Sequence, residues 1–417
     1  MKRIGCWKYK NAAFLLVLLL AASVQALPLD LPGALREAVT HHPDVRARLN
    51  ERQAASAQLE GAQWGRYPSL SAELQTQTGG PQTVAKIEQP LWTGGRITGQ
   101  ISVATANLGL ANAAVSEAEQ KILTQVASAF FEILRLESRL KAAVTNEAEH
   151  LRLQQIIQRR AQSEISPKTD ETQADARLSQ AVADRLQTQR QLEAARLALE
   201  QAMGRSSVGE LAAPPAVNLS QWAESSLLEA ALAYAPERKR LLMQVETNEA
   251  QIALARAQIM PTLVAGYQSQ LGTLLTGQER SRMYLGVQFQ SGAGLSSLSA
   301  VQVAIARKLA AQDAIETHDR QLTQTVRSTW SESKALAAQL APVRALLAGS
   351  DEIVASYLRQ FQVGRKNWLD VLNAQREKTQ AYNSLADIEY PLLLSQVRLL
   401  IAAGQLNAAQ LELPHVK

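Results

Sequence analysis

The chain has 417 residues, of which 46% are hydrophobic and 5% aromatic, and its formal net charge is +5. The predominance of Ala, Gln and Leu over bulky core-filling residues favours extended, packed helices over a compact globular core. The single cysteine, Cys6, excludes a disulfide framework.

The first 26 residues predict a cleaved export signal. Lys2 and Arg3 open a basic start, an apolar run follows over residues 12–22, and "SVQA" ends at Ala26 as at a signal-peptidase site. The run is about half the ~20 residues of a spanning helix, although an uncleaved anchor is the alternative. Removing this segment takes four Lys and Arg residues and no acidic ones, so +5 becomes +1. The basic pI therefore gives no reason to expect nucleic-acid binding.

The chain repeats itself. Two proline pairs lie 193 residues apart, Pro43 with Pro236 and Pro68 with Pro261. Further along the separation becomes 200 residues, as in Phe130 with Trp330, Asp170 with Asp370 and Gly204 with Gly404. We predict a first repeat over 27–205, a linker over 206–224, a second repeat over 225–410 and a tail over 411–417. The change of offset predicts a turn where the insertion lies.

That turn falls among four segments with period-two alternation, which predict strands at about 69–78, 83–92, 262–271 and 283–291. About ten residues per strand is enough to cross a bilayer at a tilt. Four strands cannot close on themselves, and an open edge in lipid is costly, so a barrel must be shared among copies. Four aromatic residues near strand ends are candidates for the membrane interface, with ordinary core packing as the alternative: Trp64, Tyr67, Trp92 and Tyr284.

Long helices are predicted at about 97–162 and 296–362, and returning helices at about 168–203 and 368–403. Val126, Ile133 and Leu140 repeat every seven residues, with Val144 and Leu151 among the companion positions, which predicts a coiled-coil seam. The second long helix has the same spacing, interrupted at Ser333. Pro342 predicts a kink or a short interruption there.

The motifs "HHPDVRARLN", "YPSLSAEL", "EQPLWTGGR" and "VGRKNWLDVLNAQRE", in this order and with this duplication, resemble the TolC family of outer-membrane export channels. The resemblance covers nearly the whole chain after residue 26. It implies a mainly α fold with a membrane β-barrel portion: four strands per chain in a twelve-stranded homotrimeric barrel, continued by a helical tunnel. Pro90, Gly94 and Gly95 would mark the change from membrane strand to periplasmic helix, with the glycines allowing the turn.

The resemblance also implies a gate at the periplasmic tips, where carboxylates ring the pore. The matching residue is Asp370, with Lys366 as a basic partner and Asn373 where some members have a second acid. Asp170 is the first-half equivalent, although its turn lacks the usual "VG". A solvated residue at a helix start is the alternative reading of Asp370.

No catalytic or metal-ligating pattern is found in the sequence, because the five histidines are scattered and no serine has a nucleophile context. We therefore predict no enzyme, cofactor or metal site. The prediction is an outer-membrane conduit of a Gram-negative bacterium with a periplasmic adaptor and an inner-membrane partner, most simply an ABC transporter for type I protein secretion. Multidrug or metal efflux with a proton-driven pump is the first alternative. A secreted coiled-coil scaffold without a pore is the second.

Overall fold

The computed structural model describes residues 28–77, 80–205, 209–213, 222–272, 279–289, 296–408 and 410. The predicted signal segment and tail lie outside these residues, as does most of the predicted linker. The first half contains α1 (Leu31–His41), α2 (Pro43–Trp64), β1 (Ser69–Gln77), β2 (Gly80–Trp92), α3 (Arg96–Gln162) and α4 (Lys168–Met203). The second half contains α5 (Glu224–Tyr234), α6 (Pro236–Ala257), β3 (Thr262–Gly272), β4 (Ser281–Gln288), α7 (Ser296–Gln362) and α8 (Trp368–Ala402).

The two halves have the same order of elements: two helices, a hairpin, a long helix and a returning helix. Both long helices, α3 and α7, have 67 residues, and each spans roughly 100 Å at ~1.5 Å per residue. The four strands form one antiparallel sheet in the order β1-β2-β3-β4. The predicted fold class, long helices with four strands per chain, is confirmed.

The predicted seam of α3 is only partly correct. Val126, Phe130 and Ile133 are fully buried, but Val144 and Leu151 are 49% and 44% exposed. A straight helix drifts by about 20° per heptad relative to a seven-residue repeat, so a stripe that starts in the core turns outward after two or three heptads. Below that point other side chains, including Leu153 and Ile157, face inward.

In α7 the predicted seam was interrupted by a serine, but this position is buried. Ser333 is buried, as are Val326 and Phe361 at other positions of the same seam. The predicted interruption at Pro342 is wrong, because helix continues through this residue. Proline removes one backbone donor and its ring displaces one carbonyl. In a helix of this length the neighbouring turns keep the helical path, and α8 likewise contains Pro391.

The main core lies where α1 and α8 both pack against α3, and α4 contacts α1 and α3 there. Phe130 and Phe131 are its largest enclosed side chains, and their rings meet edge to face with centroids 5.9 Å apart. Leu35 from α1 and Leu199 from α4 fill the space around them. This core fixes the short N-terminal helix against the middle of the long helices.

The sheet has one apolar and one polar face. Leu70 lies opposite Ile87, which lies opposite Tyr267, which lies opposite Met283. These side chains share one face and are exposed, up to 84% at Met283. The other face carries Lys86, Glu88, Gln268 and Arg282, in the same register. Within one chain β1 and β4 each have an unpaired edge.

The passage from β2 into α3 uses the predicted junction residues. The pairing register of β2 shifts between Pro90 and Trp92, and Gly94 and Gly95 follow with φ of 59° and 91°. A Cβ on Gly94 would lie 2.2 Å from the Cβ of Met260. Two consecutive left-handed residues turn the chain sharply, which only glycine allows at low cost.

Replacing Gly95 by alanine is expected to destabilise the assembled protein by about 1–2 kcal/mol. The new Cβ makes only an ordinary contact, 3.7 Å from the Cβ of Ala257, but the alanine must adopt a left-handed backbone. The temperature at which the oligomer dissociates on electrophoresis should fall. Gly61→Ala is the matched control, since Gly61 is helical with nothing near its Cβ position. The control should be unchanged or slightly more stable. Equal behaviour of both variants would contradict the strained junction.

Candidate functional site

The turn between α7 and α8 brings together two of the predicted gate residues, Lys366 and Asp370, whereas Asn373 lines a recess between α4 and α8. Lys366 Nζ lies 3.5 Å from Asp370 Oδ2. The same ammonium lies 4.3 Å from the ring centroid of Tyr357, which fixes its direction. Asn367 caps α8 by accepting a hydrogen bond from the Leu369 N–H. Both charged side chains remain partly exposed, so this pair is weak by itself.

The turn between α3 and α4 is built differently. Glu164 has a positive φ of 56°, where the second half has Gly364. Asp170 lies in the first turn of α4, where the helix dipole favours a carboxylate. Ser166 occupies the position 200 residues before Lys366, and among the described residues the Asp170 carboxylate has no ion-pair partner. The two tips, which are the α3–α4 and α7–α8 turns, therefore differ in charge. The second has a Lys–Asp ion pair, and the first has a carboxylate without such a partner among the described residues.

A hydrophobic cluster joins the two tips, and the sequence analysis missed it. Its centre is Trp368, the first residue of α8, which is 4% exposed. Leu153 and Ile157 from α3 and Phe361 from α7 pack in the same cluster. The apolar spacing of Trp368, Val371 and Leu372 was the available signal, since positions i, i+3 and i+4 share a helix face. Buried apolar contacts, in addition to the ion pair, hold the tips.

A buried polar group lies between α3 and α8, further from the turns than this cluster. Asn146 Oδ1 accepts a hydrogen bond of 2.8 Å from Thr379 Oγ1 and one of 3.5 Å from Gln375 Nε2. His150, one turn further along α3, is 7% exposed. Burial first, and the positive charge of Arg177 second, lower the pKa of His150, against a smaller opposing effect of Glu149. The uncharged imidazole is therefore the dominant form at neutral pH.

The predicted interface aromatics occupy different faces. The rings of Trp64 and Tyr67 are exposed and lie 5.2 Å apart at the start of β1, and Trp92 is exposed at the end of β2. Tyr284 instead lies on the polar face, where its hydroxyl donates a 2.6 Å hydrogen bond to Glu88. Its ring covers Gly266, where any Cβ would collide with it. Tyr284 therefore lies on the opposite face of the sheet from Ile87 and Met283, and the interface role of the four aromatics stays a prediction.

Within the described residues no group of three or more His, Cys, Asp or Glu side chains could hold a metal ion. Among the helices described here, none combines enough length with enough hydrophobicity to cross a lipid bilayer.

A comparison with protein families decides the classification. The model of the outer membrane efflux protein family matches residues 34–205 and 227–405, which covers both repeats. The chain belongs to the outer membrane efflux protein family. This family contains transport channels, and it places the protein in the outer membrane with a periplasmic extension, as predicted. The predicted resemblance to TolC-like channels is confirmed.

Individual proteins are similar to this chain over most of its length. The chain is 26% identical to the cobalt-zinc-cadmium resistance protein CzcC of Cupriavidus metallidurans, over 85% of each chain. It is 24% identical to the alkaline protease secretion protein AprF of Pseudomonas aeruginosa, over 70% of this chain and 63% of AprF. Among solved structures, the Campylobacter jejuni CmeC outer membrane channel superposes with a TM-score of 0.77 at 14% identity, covering 91% of this chain and 86% of CmeC. This last likeness concerns the fold.

Proposed function

We propose that three copies of this outer membrane efflux protein form one channel, in which β4 of each protomer pairs with β1 of the next. The observation that carries this proposal is the open four-stranded sheet with one apolar and one polar face. Unpaired strand edges cost several kcal/mol per exposed backbone group in lipid, so a single sheet is not viable there. Twelve strands from three copies remove every edge and enclose a polar lumen.

The long helices α3, α4, α7 and α8 continue this barrel as a tunnel on the periplasmic side. The length of α3 and α7, roughly 100 Å each, allows one assembly to reach from the outer membrane deep into the periplasm. The energy for transport would come from an inner-membrane transporter, contacted through a periplasmic adaptor. Membership in an efflux family supports this arrangement and removes the support for a secreted scaffold.

The purified full-length protein tests the channel directly. Its mass in detergent should be three times that of one chain, and it should give discrete conductance steps in planar bilayers. A monomer without conductance would overturn the proposal. Crosslinks between cysteines introduced at Leu74 in β1 and Leu285 in β4 should form between protomers and not within one, because these strands lie at opposite edges of the sheet.

For the transported substrate we propose proteins secreted with an ABC transporter, supported by the "GRKNWLDVLNAQRE" tip and the similarity to AprF. Metal efflux is the second candidate, supported by the similarity to CzcC over a larger share of both chains. Deleting the gene should remove a secreted protein and leave cobalt, zinc and cadmium tolerance unchanged. Lost metal tolerance with normal secretion would favour the second candidate.

The gate is proposed at the two tips, with Asp370, Lys366 and Asn373 from α7–α8 and Asp170 from α4. Three like carboxylates around a narrow axis repel one another and attract cations. The Lys366–Asp370 contact compensates part of this charge within each protomer. Because the contact is exposed, an adaptor could separate it at a small energetic cost.

Replacing Asp370 by alanine in all protomers is expected to raise single-channel conductance at neutral pH and to lower the preference for cations. The reason is that the variant loses three carboxylates at the narrow end and releases Lys366. Glu352→Ala is the control, since Glu352 is an exposed carboxylate on α7, away from the turn. Conductance and selectivity identical to the unmodified channel would place the gate elsewhere.

A further inference from the structure

A recess of about 350 Å³ opens between α4 and α8, just above the tips, and α3 forms its floor. We call it the α4–α8 recess. Its α4 wall includes Arg177 and Asp184, its α8 wall includes Asn373 and Arg376, and His150 reaches it from α3. The lining residues repeat every three or four positions on both helices, so each wall is one helix face.

The charged groups of the recess are not balanced. Two guanidinium groups, Arg177 and Arg376, line it against one carboxylate, Asp184. That carboxylate already accepts a 2.8 Å hydrogen bond from Gln180 Nε2. Among the described residues neither guanidinium has an ion-pair or hydrogen-bond partner. Arginine presents a planar fork of N–H donors that matches the oxygen pairs of carboxylate and phosphate groups.

The floor supplies a further unsatisfied donor. The His150 side chain is more than nine-tenths buried and lines the recess, and within the described part of the chain its ring has no hydrogen-bond partner. A neutral imidazole has one N–H donor. Buried polar groups without partners are uncommon in native proteins, and such a group facing a cavity points to a ligand or water.

The recess begins next to the proposed gate residues on α4 and α8. Asn373 belongs to both, and Arg376 follows Asp370 by six residues, or about 9 Å along α8. On α4, Arg177 follows Asp170 by seven residues, which is close to two full turns. Seven residues bring Arg177 back to the α4 face of Asp170, whereas six residues turn Arg376 to a different side of α8 from Asp370. The positive groups of the recess therefore lie about 9–10 Å from the acidic residues along each helix.

We propose that the α4–α8 recess binds an oxyanion group, a carboxylate or a phosphate, carried by a small molecule. Arg177 and Arg376 clamp the group from opposite walls, and His150 donates to it from the floor. The binding does not depend on the proposed channel function.

Calorimetric titration of the purified full-length protein with citrate, and separately with inorganic phosphate, tests the proposal. At least one anion should bind, more weakly at high salt because the contacts are ionic. The double variant R177Q/R376Q should weaken binding by about tenfold or more. R177K/R376K should retain part of it, because the charge remains without the fork. R344Q is the control, because Arg344 pairs with Glu389 at 3.0 Å outside the recess.

No binding of either anion by the unmodified protein, or equal binding by R177Q/R376Q, overturns the proposal. Conductance in potassium chloride is measured on the same preparations. Normal conductance of R177Q/R376Q together with lost anion binding separates the recess from the channel. A protein that binds the anion but forms no channel leaves the recess in place and overturns the proposed function instead.

Discussion

Replacing Trp368 by alanine is expected to destabilise the tips by about 3–5 kcal/mol, the usual cost of removing a buried tryptophan. Its side chain is 4% exposed and packs between both halves of the chain, next to Leu153 and Phe361. The Lys366–Asp370 ion pair is partly exposed, so it cannot compensate for the apolar contacts that the alanine loses. The closed arrangement of the tips should therefore loosen.

Hydrogen exchange is the measurement for this variant. Amides of residues 357–372 should lose protection, while those of the four strands should not. Conductance should become noisier as the tips separate more often. The matched control is Val363→Ala, an exposed apolar residue in the same turn. Unchanged protection in Trp368→Ala would contradict a hydrophobic lock, and the ion pair would then hold the tips.

Replacing Ile87 by lysine is expected to cost about 2–4 kcal/mol per protomer, because its side chain lies on the apolar face of the sheet, which the proposed barrel turns toward lipid. A buried ammonium in lipid has no compensating partner there. The yield of membrane-inserted oligomer should fall sharply, as measured by heat-modifiable migration on electrophoresis.

Val84→Lys provides the control on the same strand. Val84 lies three residues away on the polar face, where its neighbours are Glu73 and Gln270. A lysine at this position stays in a polar environment beside a carboxylate, so assembly should be nearly normal. If both lysine variants assemble equally well, the apolar face does not contact lipid. If both fail, the strand itself does not tolerate a charge.

Local patterns account for what the sequence predicted well. The alternation that separates Leu70 and Ile87 from Lys86 and Glu88 is a property of any extended strand, since successive side chains point to opposite faces. The contact of Lys366 with Asp370 is also local, because it joins the turn before α8 to the first turn of that helix. Neither prediction requires knowledge of which distant elements meet.

The predictions that did not hold required knowledge of distant contacts. Val144 and Leu151 continue the seven-residue pattern of α3, but the neighbouring helices no longer cover that stripe. Tyr284 lies in the middle of β4, and its register opposite Gly266 places it beside Glu88 on the polar face, a contact that the alternation alone did not predict. A period gives the direction of a side chain relative to its own helix or strand. It does not predict which other element, if any, packs against that side chain.

The sequence by itself determined the duplicated order of elements, the two faces of the sheet, the need for a shared barrel and the positions of the turns, because each depends on residues near one another in the chain. Only the tertiary structure brought Trp368 against Leu153 and placed Arg177 across from Arg376 over His150. These groups are separated by up to about two hundred residues, and their meeting depends on how four long helices pack. The contacts at the tips and the lining of the recess therefore depend on side-chain packing and charge placement between helices that are distant in the sequence.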